Sequence, residues 1–297
     1  MASPFTTILL IGEGNFLKQL GPRLLHPDRS IWVLLSNEAL APGFARLGLN
    51  PLSADLADPF LAKMAVANAD VIYHLAGKRV HGKPAPELSD LKALKNILSV
   101  LPPGYPKRYI YESSLDVYDG MFAEVLDEKV ICRPKSPAGR ILIEAERELL
   151  SRFSEKGFSA LILRAASIYA PMPGIYNQVR EGRYQIPADM PSLLHRIYIE
   201  DYLDLLAQAM EKGRPGQVYN IADQEPHTPN DYFKTMAASL GVSFPEAPPA
   251  SSPNQTPLPR YSNEKLLREF GFSLRFPTFR EGLSHGIQKA QAEASAF

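Results

Sequence analysis

The chain has very little cysteine. Cys132 stands alone in 297 residues, so no internal disulfide can form, and a reducing compartment is the simpler expectation. It also lacks an excess of either charge. Thirty-two basic and 32 acidic residues cancel, which argues against a nucleic-acid or polybasic membrane surface. Long hydrophobic runs are missing too. The N-terminal apolar run is only Ile8 to Ile11, with no basic segment before it, which excludes a signal peptide and a membrane span. A cytoplasmic protein is expected, with no nucleic-acid or membrane partner. The six histidines show no metal-ligand spacing, so no metal is expected. Proline, by contrast, is plentiful at 27, and it clusters in Phe244–Arg260 (FPEAPPASSPNQTPLPR), which reads as an extended surface linker.

Short apolar runs alternate with amphipathic stretches. TTILLIG (Thr6–Gly12), SIWVLLS (Ser30–Ser36), ADVIYHLAG (Ala69–Gly77), KRYIYES (Lys107–Ser113), FSALILR (Phe158–Arg164) and GQVYNIA (Gly216–Ala222) predict strands. Helical patterns lie between them at Asn15–Leu25, Leu88–Leu101, Ser136–Lys156 and Glu200–Lys212. Strands apolar on both faces and alternating with helices predict an α/β fold, a doubly wound Rossmann-type parallel sheet. Residues 1–169 form the expected dinucleotide-binding core, to which 200–222 return. Residues 170–199 and 223–297 form a smaller substrate-binding lobe. The stretch Ala170–Arg196, rich in proline and glycine, predicts an irregular insertion.

Gly12-Glu13-Gly14 sits where the first strand meets the first helix, the position of a dinucleotide-binding turn. Gly12, Gly14 and Asn15 are the expected diphosphate contacts. Leu17 occupies the third glycine position and should hold the helix away or rotate it. Glu13 puts a carboxylate beside the expected diphosphate. The second strand ends in Ser36-Asn37-Glu38, and Ser36 and Asn37 could bond either ribose form, so NAD and NADP both remain open.

Two segments carry the strongest signal. Ser114-Leu115-Asp116-Val117-Tyr118 is followed by Ser136-Pro137-Ala138-Gly139-Arg140. At this separation they resemble the active-site half of an extended short-chain dehydrogenase/reductase, the NAD-dependent epimerase/dehydratase family. LSADLAD (Leu52–Asp58), HLAG (His74–Gly77), RAASIYAP (Arg164–Pro171), RIYIED (Arg196–Asp201), VYNIADQEP (Val218–Pro226) and YSNEKLLREFGF (Tyr261–Phe272) are similar to further elements of the family, in order along nearly the whole chain. The resemblance implies that Asp55 and Leu56 contact the adenine and that Leu75, Ala76, Gly77, Ser113 and Ala166 line the cofactor. Ser114 would polarise a substrate carbonyl, and Tyr176 and Arg196 would face the substrate. It also implies a possible homodimer.

The same resemblance puts the catalytic tyrosine and lysine of the family at Ala138 and Leu142, as in its atypical members. Alanine transfers no proton, and leucine supplies no charge to draw a phenol pKa down from about 10. Losing such help costs about a hundred- to ten-thousand-fold in rate. A relocated acid–base group could come from Tyr169, Tyr176, His195 or Tyr198, all expected at the cleft mouth, though each is more simply a packing residue. Asp116 reads as a turn carboxylate, Tyr118 as packing, Arg180 and Arg183 as solvated charge and Cys132 as an inert thiol. Three functions follow: an epimerase/dehydratase/reductase-like enzyme acting on a sugar-nucleotide-like or small carbonyl substrate; a non-catalytic dinucleotide-binding sensor or scaffold; or, from Glu13 and Leu17, a fold remnant that binds neither cofactor nor sugar and works through protein contacts.

Overall fold

The computed structural model describes residues 6–12, 14–35, 37–75, 88–121, 123–187, 193–244 and 259–295. Seven strands form one parallel sheet: β1 (Thr6–Ile11), β2 (Arg29–Leu35), β3 (Asn50–Ser53), β4 (Val71–Leu75), β5 (Arg108–Ser114), β7 (Ala160–Ala165) and β10 (Gln217–Ile221). Their spatial order is β10-β7-β5-β4-β1-β2-β3. The order reverses direction between β1 and β4, which opens the crevice where doubly wound sheets bind ligands.

Every residue of β4, β5 and β7 is buried, as strands covered on both faces require. One face is covered by α1 (Gly14–Leu24) and α7 (Ile199–Ala209), the other by α3 (Pro59–Val66), α4 (Leu88–Val100) and α5 (Pro137–Lys156). The long helix α5 has sharp ends. Ser136 Oγ accepts the Gly139 N–H at 3.1 Å, Pro137 opens the first turn, and Gly157 ends the helix at φ +71°. Gly139 has no side chain for a reason: a Cβ there would lie 2.7 Å from the Asp116 carbonyl oxygen. That contact seats α5 against the turn that follows β5.

Two short parallel ribbons stand off the sheet. One joins β6 (Val125–Leu126) to β11 (Arg260–Tyr261), the other β8 (Ser167–Tyr169) to β9 (Arg196–Tyr198). The stretch expected to be irregular, Ala170–Arg196, holds one helix, α6 (Pro173–Arg180), and runs into β9 at its end. Pro173 starts that helix, sitting in its opening turn as Pro229 does in α8 (Pro229–Ser239). The helices α2 (Ala41–Ala45), α9 (Glu264–Phe270) and α10 (Phe279–Ser295) complete the described fold. Among the described residues no helix is long and apolar enough to cross a membrane.

Candidate active site

The glycine turn is built by close approach. A Cβ on Gly12 would stand 2.8 Å from the Leu75 carbonyl oxygen, so β1 and β4 converge there only because the residue is glycine. Gly14 begins α1, and Asn15 is exposed beside it. The opening amides of a helix have no partners within it and suit an anion. Leu17, at the third glycine position, is fully buried, and its Cδ2 occupies the space near Gly12. Closest packing occurs one turn later, where a Cβ on Gly21 would meet Leu49 Cδ1 at 2.4 Å.

Asp55 is exposed beyond β3, and its Oδ1 accepts the Ala57 N–H at 2.8 Å. Leu56 is buried beside it, and Leu75 ends β4. Asn37 spends its Oδ1 on the Ala39 N–H, capping a short turn. Glu13, Ser36, Ala76 and Gly77 lie outside the described residues. Among the described residues, no group of three or more His, Cys, Asp or Glu could hold a metal ion.

At the carboxyl end of β5, Ser114 Oγ accepts the Asp116 N–H at 3.2 Å and caps the turn Leu115–Tyr118. Ala138 is half-buried in the first turn of α5. Leu142 is fully buried in an apolar cluster with Leu115, Val117, Tyr118, Leu126, Cys132 and Ala166. Such burial stabilises by about 1.5–3 kcal/mol. Cys132 packs there too, and burial raises its thiol pKa.

Beneath this cluster runs a polar network. Ser113 Oγ donates to Glu146 Oε1 at 2.5 Å. Arg164 grips Glu146 through Nη2 at 2.7 Å and Nε at 3.0 Å. Arg164 Nη1 donates to the Tyr118 hydroxyl at 2.8 Å, which lies 3.1 Å from Asn220 Oδ1. Burial alone would lower the Arg164 pKa, yet the Glu146 carboxylate more than offsets it and the pKa is raised. Burial also pushes Tyr118 up to about 12 despite Arg164. Tyr118 is thus a structural phenol, not a proton donor poised at neutral pH. The sequence reading missed Glu146. The available signal was a carboxylate on the apolar face that Leu142 and Leu149 share, four and three residues away.

Three tyrosines expected at the cleft mouth instead pack against α10. A Cβ on Gly282 would overlap the Tyr169 hydroxyl, and one on Gly286 would stand 3.1 Å from the Tyr176 hydroxyl and 3.5 Å from that of Tyr198. Burial raises all three phenols, Tyr176 to about 12. The Tyr198 hydroxyl meets His285 Nδ1 at 3.1 Å. His195 Nε2 lies 3.0 Å from the Pro259 carbonyl oxygen, and burial drops its pKa to about 4. Its ring lies against Tyr261, which stacks in turn on Tyr118. Tyr261 and Lys265 have the Tyr-x-x-x-Lys spacing, but they do not form a pair. Tyr261 is in β11, while Lys265 Nζ donates to Gln217 Oε1 at 2.9 Å and the Val218 carbonyl at 2.8 Å.

Arg196 is different. It is buried at the start of β9, its guanidinium lies 4.2 Å from the centre of the Tyr232 ring, and its Nε has no hydrogen-bond partner among the described residues.

Residues 18–222, more than half of the chain, match the NAD dependent epimerase/dehydratase family. The chain belongs to this family. The match starts inside α1 and ends just past β10, so the argument for the glycine turn rests on its geometry. Among relatives in the family, short-chain dehydrogenase/reductase family 42E member 1 of Danio rerio is 25% identical over 67% of this chain and 59% of its own length. This chain therefore spans less than two thirds of that relative. 2-alkyl-3-oxoalkanoate reductase of Stenotrophomonas maltophilia (strain K279a) is 22% identical over 97% of this chain and 99% of its own. The UDP-glucuronic acid 4-epimerase of Bacillus cereus, solved in complex with NAD, has the same fold at TM-score 0.76, with 20% identity and coverage of 96% and 99%.

Proposed function

We propose that this family member binds NAD or NADP along the carboxyl ends of β1 and β4 and acts on a small carbonyl or sugar-nucleotide-like substrate without a Tyr-Lys pair. Family membership over residues 18–222 carries the reading. Gly12, where the backbone approaches closely, with Gly14 and Asn15, which open α1, would hold the diphosphate, and Asp55 and Leu56 past β3 would meet the adenine. A bound nicotinamide would supply hydride transfer. The chain's own part is to orient the substrate, with Ser114 Oγ able to donate to a carbonyl oxygen and Arg196 able to meet an anion. The name of the Stenotrophomonas relative, a reductase of 3-oxo acids, supports a small carbonyl substrate. Pairing of two chains and a cytoplasmic location are part of the same proposal.

A second reading, a dinucleotide-binding sensor or scaffold, is favoured by one observation. Leu142 fills with packed hydrocarbon the position where the family resemblance expects an ammonium. Binding isotherms for NADH and NADPH, followed by turnover assays with 3-oxo acids and nucleotide sugars, separate the readings. Micromolar binding with turnover supports the enzyme, and binding without turnover supports the sensor. Failure to bind either nucleotide at millimolar concentration sinks both.

A further inference from the structure

The carboxyl edge of the sheet carries a polar group of which the proposed function uses only Arg196. Ser114 is in register with Ala165, and Ala165 with Ile221. Ile221 thus lies two strands, or about 10 Å, from Ser114, and Asp223, two residues past β10, stands at the same edge of the sheet. Asp223, His227 and Tyr232 all neighbour Arg196 there. The Asp223 N–H donates to the Arg196 carbonyl at 2.7 Å, and the Arg196 guanidinium lies over Tyr232. The His227 ring stacks on Tyr232 at 5.4 Å and 18°. Arg196, Asp223, His227 and Tyr232 are 9%, 4%, 3% and 1% exposed. Each still has a buried polar atom without a hydrogen-bond partner among the described residues: Arg196 Nε, Asp223 Oδ2, His227 Nε2 and the Tyr232 hydroxyl. Each such atom costs about 1–3 kcal/mol, and folded proteins rarely keep even a few scattered ones. Four in neighbouring side chains at one edge of the sheet point to a ligand.

The unmet atoms define its chemistry. His227 Nδ1 lies 3.0 Å from the Glu225 carbonyl oxygen and can bond it only as a donor, so Nε2 is a bare acceptor. Burial holds that imidazole neutral, with its pKa lowered to about 4, and Arg196, His195 and Asp231 face it. Asp223 spends Oδ1 on the Glu225 N–H at 3.2 Å. Burial pushes its pKa up to about 8, and Arg196, Tyr169, Glu225 and Glu281 face it. Glu225 is itself paired with Arg280 at 3.0 Å. At neutral pH the inner group thus carries one charge, that of Arg196. A carboxylate matches one guanidinium fork, whereas a diphosphate would bring excess charge toward Glu225 and Glu281. A neighbouring hydroxyl can donate to His227 Nε2, and a neighbouring carbonyl can accept from Tyr232 or protonated Asp223.

We propose that Arg196, Asp223, His227 and Tyr232 seat the carboxylate of a small hydroxy- or oxo-acid. This rests on the small-carbonyl reading and narrows it to acids.

Calorimetric titration of the full chain with 3-hydroxybutyrate, without and with saturating NADH, tests the seat, with inorganic phosphate and UDP-glucose as comparisons. The expected result is saturable one-to-one binding of the acid in at least one arm. Ionised Asp223 adds a negative charge, so affinity should fall about tenfold per pH unit above about pH 8. R196M should weaken binding at least about tenfold, the loss of one charge-assisted contact. D223N, close in shape, should bind at neutral pH and lose the weakening above it. Absence of saturable binding in both arms overturns the proposal, as do tighter binding of phosphate or UDP-glucose and unchanged binding by a folded R196M. NADH binding without acid binding refutes the seat alone. Acid binding without NADH binding refutes the dinucleotide reading and leaves the seat standing.

Discussion

Two buried arginines stand near the carboxyl end of the same sheet, and their surroundings are opposite. Arg164 is 6% exposed and holds Glu146 with two nitrogens and Tyr118 with a third. Arg196 is 9% exposed and lies on an aromatic face, and its Nε, like Asp223 Oδ2 and His227 Nε2, has no hydrogen-bond partner among the described residues. A buried charge costs several kcal/mol unless it is paired. The first arginine is satisfied by the protein and works in the fold. The second is left for something the protein does not supply. Around Arg164 lie Ser113 and Tyr118, next to the Ser114 of the family resemblance, and their hydroxyls are already engaged.

The contrast can be broken by experiment. The largest effect belongs to Glu146→Gln, which strands the Arg164 charge. Urea unfolding should show a loss of about 3–5 kcal/mol, and a loss below about 1 kcal/mol would mean that the pair is not structural. Next is Gly12→Ala, whose added Cβ meets the Leu75 carbonyl oxygen at 2.8 Å. It should cost about 1–3 kcal/mol in the same assay, and wild-type stability would show that β1 and β4 need no such approach.

The Asp223 pKa gives a slope with a definite sign. Its carboxyl has a folded pKa of about 8 against an ordinary 3.8. Between those values the folded state keeps a proton that the unfolded chain has lost. Stability should therefore fall as pH rises through that window, by at most about 1.4 kcal/mol per unit, and level off above it. His74, His195 and His227, lowered to about 4 by burial, work the opposite way up to their ordinary 6.5. The difference between wild type and D223N isolates the aspartate: the variant should gain on wild type from pH 5 to 8. Parallel stability curves would refute the assignment. The smallest effect is Tyr198→Phe, which removes the contact with His285 and should lower stability by about 0.5–1.5 kcal/mol in thermal unfolding.

Much of the fold was legible in the sequence because burial on both faces writes apolar runs. Ser136, Pro137 and Gly157 likewise mark the ends of α5 in plain residue chemistry. Residues 170–196 were misread because proline counts as a breaker until its place is known, and Pro173 opens a helix. Tyr169, Tyr176 and Tyr198 were read as packing residues first, but what they pack on could not be read, because Gly282 and Gly286, more than eighty residues on, clear the space they fill. In the site, Ser114, Ala138 and Leu142 could be aligned by spacing. Glu146 and Arg164 could not be matched, because their pairing crosses from α5 to β7. Asp223 and His227 were invisible for a different reason: their interest lies in what the fold leaves unpaired.

The central claim is that a polar group at this edge is either tied into the fold or free for a ligand. Urea unfolding of ligand-free Arg196→Met tests it most directly. Replacing an unpaired buried charge with a side chain of similar length should leave stability unchanged or raise it by about 1 kcal/mol. A loss of more than about 2 kcal/mol would show that Arg196, like Arg164, belongs to the fold.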